Sequence, residues 1–191
     1  MPTQVEIANL AVVDCGEPPI GSFDDATSAA RAVKAKYYSV RDTVLEAREW
    51  TFAKGRFVPT LDAAVPAWGY IYQHVIPSNV LAVPRIYSDT VGTLVTDWVR
   101  EGWRILSNEA VIYAEAIMRV DEGEFSPGCV MCIKDLLVSE IAITLTDNRQ
   151  LAADAFSKYE WRIRDAGASD GKQGRAQQIK PPALPGRRRL T

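Results

Sequence analysis

Cys15-Gly16-Glu17-Pro18-Pro19-Ile20, then an unbroken helical pattern from Asp24, then Trp50-Thr51-Phe52-Ala53, is the stretch that organises this chain. A helix cannot run through Gly16 and Pro18-Pro19, because proline has no amide donor and its ring clashes with the preceding turn. The order is therefore a short helix, a turn, a long helix and an aromatic exit into a strand. Upstream, residues 3 to 15 fit the short helix, with Thr3 as N-cap and Glu6 completing a capping box. Val5, Ile7, Ala8, Ala11 and Val12 are its expected buried positions. Downstream, Asp24 or Asp25 is the expected cap of a helix reaching about Trp50. Ala26, Ala30, Val33, Tyr37, Val40, Val44 and Ala47 alternate four and three apart, which places them on one face. Lys34, Lys36, Arg41, Asp42, Glu46 and Glu49 occupy the others.

From Thr51 to Pro84 the recurring Pro59, Pro66, Pro77 and Pro84 exclude a long helix. Extended segments are expected near 52–58 and 71–75, while 79–83 fits either a helical turn or a short strand. Residues 85 to 118 read as a β-meander of β-branched and aromatic segments, with turns at Gly92, Glu101-Gly102 and Ser107-Asn108-Glu109. Asp121 to Gly128 reads as a loop. Ser126-Pro127 opens a helix over 127–165 with Pro at its first position and a break near Asp147-Asn148. Its apolar face runs through Ile133, Leu137, Ile141 and Leu145, then Ala152, Ala155, Phe156, Tyr159 and Ile163. The expected fold class is mainly α: a three- to four-helix bundle (3–15, 24–50, 127–165) with a small antiparallel β insertion at 51–120. Residues 1–166 form the domain and 167–191 an extended basic C-terminal arm.

The length of 191 residues, with 47% hydrophobic and 24% charged residues, suits one globular domain with its own core. A net charge of −2 argues against nucleic-acid binding by bulk electrostatics. The charge is unevenly placed. The arm carries six basic residues and one acid, a net +5, against 16 basic and 23 acidic residues before it, a net −7. This asymmetry gives the arm a partner of its own. The arm lacks periodicity, so it is expected to be disordered alone and, through Pro181, Pro182 and Pro185, extended when docked. Lys180, Pro181, Pro182, Leu184, Arg187, Arg188, Arg189 and Leu190 are the candidate docking residues. The leucines beside the arginines favour docking on protein, and contact with nucleic-acid phosphate is the second reading. Three cysteines and an opening, Met1-Pro2-Thr3-Gln4-Val5-Glu6, without a signal-peptide pattern point to synthesis in a reducing cytoplasm. No apolar run approaches the ~20 residues that span a bilayer, so no membrane partner is expected.

Cys129-Val-Met-Cys132 is the one catalogue motif. A thiol at a helix N-terminus is acidified, which makes redox chemistry conceivable, but the βαβ context of a thioredoxin-like site is missing. Zinc would need Cys15, Cys129, Cys132 and His74 to converge from separate regions. His74, the sole histidine, reads as a packing residue or a surface ring. Phosphate loops, dinucleotide fingerprints, metalloprotease helices and nucleophile elbows are not found. Asp24-Asp25 and Asp121-Glu122 read as caps and loops. Trp50, Phe52, Phe57, Trp68, Tyr70, Tyr72, Trp98 and Trp103 are not interleaved with Lys or Arg, so they read as core where helix meets sheet and not as a base-stacking platform. No catalytic residue, metal or cofactor is expected, and the chain is expected not to be an enzyme.

Thr3-Gln4-Val5-Glu6-Ile7-Ala8-Asn9-Leu10-Ala11, Gly16-Glu17-Pro18-Pro19-Ile20, Arg48-Glu49-Trp50-Thr51-Phe52-Ala53, and Pro66-Ala-Trp68-Gly-Tyr70-Ile-Tyr72 followed by Ile76-Pro77-Ser78-Asn79-Val80-Leu81 occur in this order. This pattern resembles the head-to-tail adaptor family of short-tailed bacteriophages, also called tail tubular protein A or head-tail connectors. Gly16, Pro18, Pro19, Trp50, Phe52, Trp68 and Tyr70 carry the family signature and core. The resemblance covers about two-thirds of the chain, and the first fifty-odd residues are its specific part. It implies a helical bundle with a β-rich part in a homo-oligomeric, dodecameric ring at the head-tail junction of a virion, assembled in the host cytoplasm. Its partners would be the portal protein, gripped by the C-terminal arm, and a tail nozzle or tail tube protein. Genomic DNA would pass through the channel without specific binding. The alternative is a nucleic-acid-binding accessory protein that uses the same basic tail.

Overall fold

Thr3 begins the structure's first regular element by accepting the Glu6 amide on its hydroxyl while Glu6 accepts the Thr3 amide, the expected capping box. In this computed structural model, which describes residues 2–171 and side chains to Ala166, helix α1 spans Gln4–Asp14. Gly16, at φ 79°, ends it, with the Gly16 and Glu17 amides donating back to Val13 and Val12 carbonyls. Asn9 then clamps Ile20 through two hydrogen bonds, 2.8 and 2.9 Å, so the Pro18-Pro19 turn lies against the helix it terminates.

Helix α2 is shorter than its periodicity. It spans Ser28–Glu46, capped by Thr27 and not by Asp24 or Asp25. Asp25 instead accepts the Gly21 and Ser22 amides of the preceding loop, and Asp24 pairs with Lys34 of the helix. Ala30, Val33, Tyr37, Val40 and Val44 are buried as the stripe requires, while Ala26 and Ala47 fall outside the helix and are exposed. Trp50 does not extend the helix. It folds back, fully buried, and donates its indole N–H to the Val44 carbonyl at 2.9 Å. That satisfies one of the carbonyls a helix end leaves without a partner.

The break near Asp147 is real. Helix α3 spans Pro127–Thr146, opened by Ser126 with Pro at its start, and ends at Asp147 in the left-handed conformation (φ 52°). Helix α4 then spans Arg149–Gly171, running past the expected arm boundary at Ala166. The two pack antiparallel, and Gly128 lets them approach closely near their outer ends: a Cβ there would lie 3.1 Å from that of Ala166. Asp135 is buried between them with its carboxylate on Arg162 at 2.6 Å and on Lys134 at 3.0 Å.

The expectation of a mainly α bundle with a small β insertion is overturned by the strands. The chain builds two antiparallel four-stranded sheets, and the fold is a mixed α/β one. The strands are β1 (Lys54–Phe57), β2 (Thr60–Leu61), β3 (Tyr72–Val75), β4 (Val80–Tyr87), β5 (Leu94–Val95), β6 (Trp98–Glu101), β7 (Arg104–Ser107) and β8 (Tyr113–Met118). The first sheet has the order β1-β8-β4-β5, the second β2-β3-β7-β6. Of segment 79–83, Asn79 lies in a turn and 80–83 open strand β4, whose pairing with β8 slips between Ala82 and Arg85. Pro84 sits in that slip, where its missing amide interrupts no ladder. Two cores result. One gathers α1, α2, α3, α4 and Trp50. The other lies within the β-part, around Val80, Val83, Ile86, Ile105 and Ile112. Ile117 of β8 belongs to the helical core, and charged pairs stitch the layers: Arg119 grips Asp42 through two nitrogens, while Arg85 bridges Glu49 and Glu115.

The Asp135–Arg162 clip yields a prediction. Asp135→Ala strands the guanidinium and should cost about 3 kcal/mol, whereas Asp135→Leu with Arg162→Leu should recover most of it. Urea midpoints of the two variants check this; equal losses would show that the pair is not a unit.

Candidate functional site

The residues that carry the resemblance do not behave alike. Gly16, Pro18 and Pro19 form the turn after α1; Trp50 is buried and begins an aromatic chain through Phe52 to Phe125, with centroids 5.7 and 5.8 Å apart. Trp68 lies on the surface, 86% exposed, against the expectation of a core residue. Trp103, at 55%, also faces out. The physical reason is local. Trp68 stands beside Gly69 (φ 88°) and Trp103 beside Gly102 (φ 57°), so both sit at turns that project from the second sheet. That glycine context was the available signal. Tyr70 is half-buried and donates its hydroxyl to Asp97 at 3.2 Å.

The segment that presents Trp68 is anchored at both ends. Asp62 holds the Ala64 amide and pairs with Arg104 and Gln73, and the Ile71 amide donates to Asn108. Beneath it lies a cleft of about 260 Å³ lined by Val65, Pro66, Trp68, Tyr70, Gln73 and Leu106. Val65, Ile71 and Val75 are exposed around it. The β-part thus turns a group of apolar side chains outward on a fixed scaffold, a pattern that marks interaction surfaces. A second cleft of about 460 Å³ opens on the first sheet between Arg56, Phe57, Tyr87, Tyr113 and the turn at Asp89. In that turn the Thr93 hydroxyl, then the amides of Thr93, Gly92 and Val91, hold the Asp89 carboxyl down to about 2. The carboxylate is a structural clasp.

The three cysteines are buried. Burial pushes the Cys15 and Cys132 thiols up to about 11, so desolvation overrides whatever acidification the start of α3 offers Cys132. Among the described residues no group of three or more His, Cys, Asp or Glu is placed to hold a metal ion. No helix of the described residues is long and apolar enough to cross a membrane. The candidate docking residues Lys180, Pro181, Pro182, Leu184, Arg187, Arg188, Arg189 and Leu190 lie outside the described residues.

His74 is a packing residue rather than a surface ring. It is 1% exposed on β3, opposite Ile105. Its Nε2 lies 3.0 Å from the Glu109 carbonyl, which also accepts from the buried Ser107 hydroxyl. A carbonyl only accepts, so Nε2 carries the proton and donates. Nδ1 is left buried with no partner among the described residues. Charging the ring would add an Nδ1–H with no acceptor, and burial holds the imidazole below its ordinary value against the raising effect of the Glu109 bond. The sign follows: the unfolded chain takes up the proton first, near pH 6.5. Stability from this group is full above about pH 6.5 and falls as the pH drops below it. Urea midpoints from pH 7.5 to 5 should therefore decline more steeply for the native chain than for His74→Leu. A proton NMR titration of the single imidazole giving a folded value at or above 6.5 would refute this.

No protein-family model matches the chain, and no curated protein sequence matches it.

Proposed function

We propose that the chain is a structural virion protein, a head-to-tail adaptor that forms a ring beneath the portal. The ring extends the DNA channel and supplies the platform for a tail nozzle or tail tube. The observation that carries the reading is that three of the segments bearing the resemblance, residues 3–11, 16–20 and 48–53, pack into one helical core. The capped helix α1, the Gly16–Ile20 turn clamped by Asn9, helix α2 and the Trp50 plug share the helical core, and the second sheet stands off it with Val65, Trp68, Ile71 and Trp103 turned outward. A rigid body with an outward apolar surface and a basic arm supports a protein whose work is assembly.

In this reading the chain catalyses nothing and uses no cofactor. The arm, net +5, docks on the portal through Lys180 to Leu190, and the body, net −7, repels the phosphates of DNA sliding past. Subunits gathered by portal sites meet neighbours at high effective concentration, so weak lateral contacts suffice to close a ring, which the resemblance makes a dodecamer. Docking of the arm contributes interface at the cost of ordering it.

The arm is tested by co-sedimentation with cognate portal rings, full-length protein beside a form ending at Gly171, which keeps α4 whole. Full-length protein should pellet with the rings and the shortened form should bind at least roughly tenfold more weakly, as loss of several charged anchors implies. Equal binding would remove the docking role of the arm. If neither form binds, the portal reading loses its support. Binding of the full chain to duplex DNA, weakening steeply with salt, would then favour the nucleic-acid alternative.

A further inference from the structure

Each sheet ends in a four-residue strand with one open side. Strand β1 pairs with β8 alone and strand β6 with β7 alone among the described residues. An open edge offers a row of amides and carbonyls to another strand unless proline, a bulge or a covering element blocks it. Neither strand contains proline, Pro59 coming only two positions past the end of β1, and both ladders keep regular register. The other two edges, β2 and β5, are two residues long and offer little to pair.

The two long edges differ in charge. On β1 the Arg56 side chain is 88% exposed, and its contact with Glu115 is a loose 3.9 Å. Lys54 beside it is held by Glu49 at 3.0 Å. On β6 the exposed acid is Glu101, with Asp97 just before the strand, and neither forms an ion pair among the described residues. The cation of β6, Arg100, donates instead to the Leu81 and Gly102 carbonyls, at 2.8 and 3.1 Å. One edge is therefore basic and the other acidic. An antiparallel register that sets Arg56 opposite Glu101 also sets Val58 opposite Val99. Those valines are 57% and 37% exposed and, by the period of two, lie on the same side as the charges.

We infer that the β1 edge of one copy adds to the β6 edge of the next, joining the first sheet of each subunit to the second sheet of its neighbour. Main-chain hydrogen bonds bind the strands, and the Arg56–Glu101 and Val58–Val99 pairs fix the register. The two patches differ, so the contact is heterologous. It propagates head to tail and closes into a ring where the rotation allows. The inference names the lateral interface of the ring proposed above and rests on that reading. In this register Arg56 and Phe57 of β1 and Val58 just after it face Glu101, Arg100 and Val99, and so short a stretch with one exposed charge pair makes a weak contact, which suits subunits that assemble only when gathered.

Arg56→Glu, Glu101→Arg and the double exchange test it, by light scattering over a concentration series and by zero-length carbodiimide cross-linking with peptide mapping, free and on portal rings. All the changed side chains are exposed, and thermal melts verify folding. Each single reversal should weaken self-association at least roughly tenfold by setting like charges together, and the double exchange should restore it. Native cross-links should join the β1 segment to the β6 segment. Rings that form but ignore all three variants overturn the edge contact and leave the ring reading standing. A double exchange no better than the singles overturns it too. Failure of the native chain to self-associate, free or on portal rings, removes both.

Discussion

The buried indole of Trp50 decides where the helical half of this protein stops and the β half begins. By donating to the Val44 carbonyl it closes the end of α2 from inside the core and turns the chain back across the helices. Arg48, just before it, reaches the Ile163 and Arg164 carbonyls of α4 at 2.8 and 2.7 Å, so the same few residues tie the last helix to the second. Ala53, fully buried a few positions on, delivers the backbone into β1. The placement of the first sheet on the helices follows from this corner.

A fold with two cores must hold them together by something other than a shared interior. Ile117 of β8 and Leu81 and Ala82 of β4 provide apolar ties, and charged pairs add to them. Arg119 on Asp42, Arg41 and Tyr37 on Glu122, and Arg85 between Glu49 and Glu115 link α2 and the loop after it to β4, β8 and the segment that follows. Single exposed ion pairs contribute little, but networks with several partners at low exposure hold geometry. The β-part is thereby fixed in orientation, so its turns and edges are presented in constant positions.

That constancy matters for a protein proposed to act by assembly. Trp68 and Trp103 project from glycine turns whose flanks are pinned, which keeps large apolar surfaces in place without burying them. The open edges of β1 and β6 belong to different sheets of one rigid body. A contact between them carries the orientation of one subunit into the next.

Much of the helical half was legible in the residues themselves. The capping box at Thr3 and Glu6, the stop at Gly16, the α2 stripe from Ala30 to Val44, the Ser126-Pro127 start and the break at Asp147 depend on interactions within a few positions along the chain. The ends of α2 were not legible, because Thr27 outcompeted the acids at one end and a tertiary hydrogen bond from Trp50 set the other. The sheets were under-read for a related reason. Strands β1 and β8, or β3 and β7, find each other across long stretches of chain, and their pattern is blurred by Pro84, by the slip in β4 and by the nearly continuous burial of Ile105, Leu106 and Ser107. The outward Trp68 and the enclosed His74 were decided the same way. Local sequence sets which residues can cap, turn or pack, whereas burial depends on what the rest of the chain brings alongside, and that exists only once the sheets have formed.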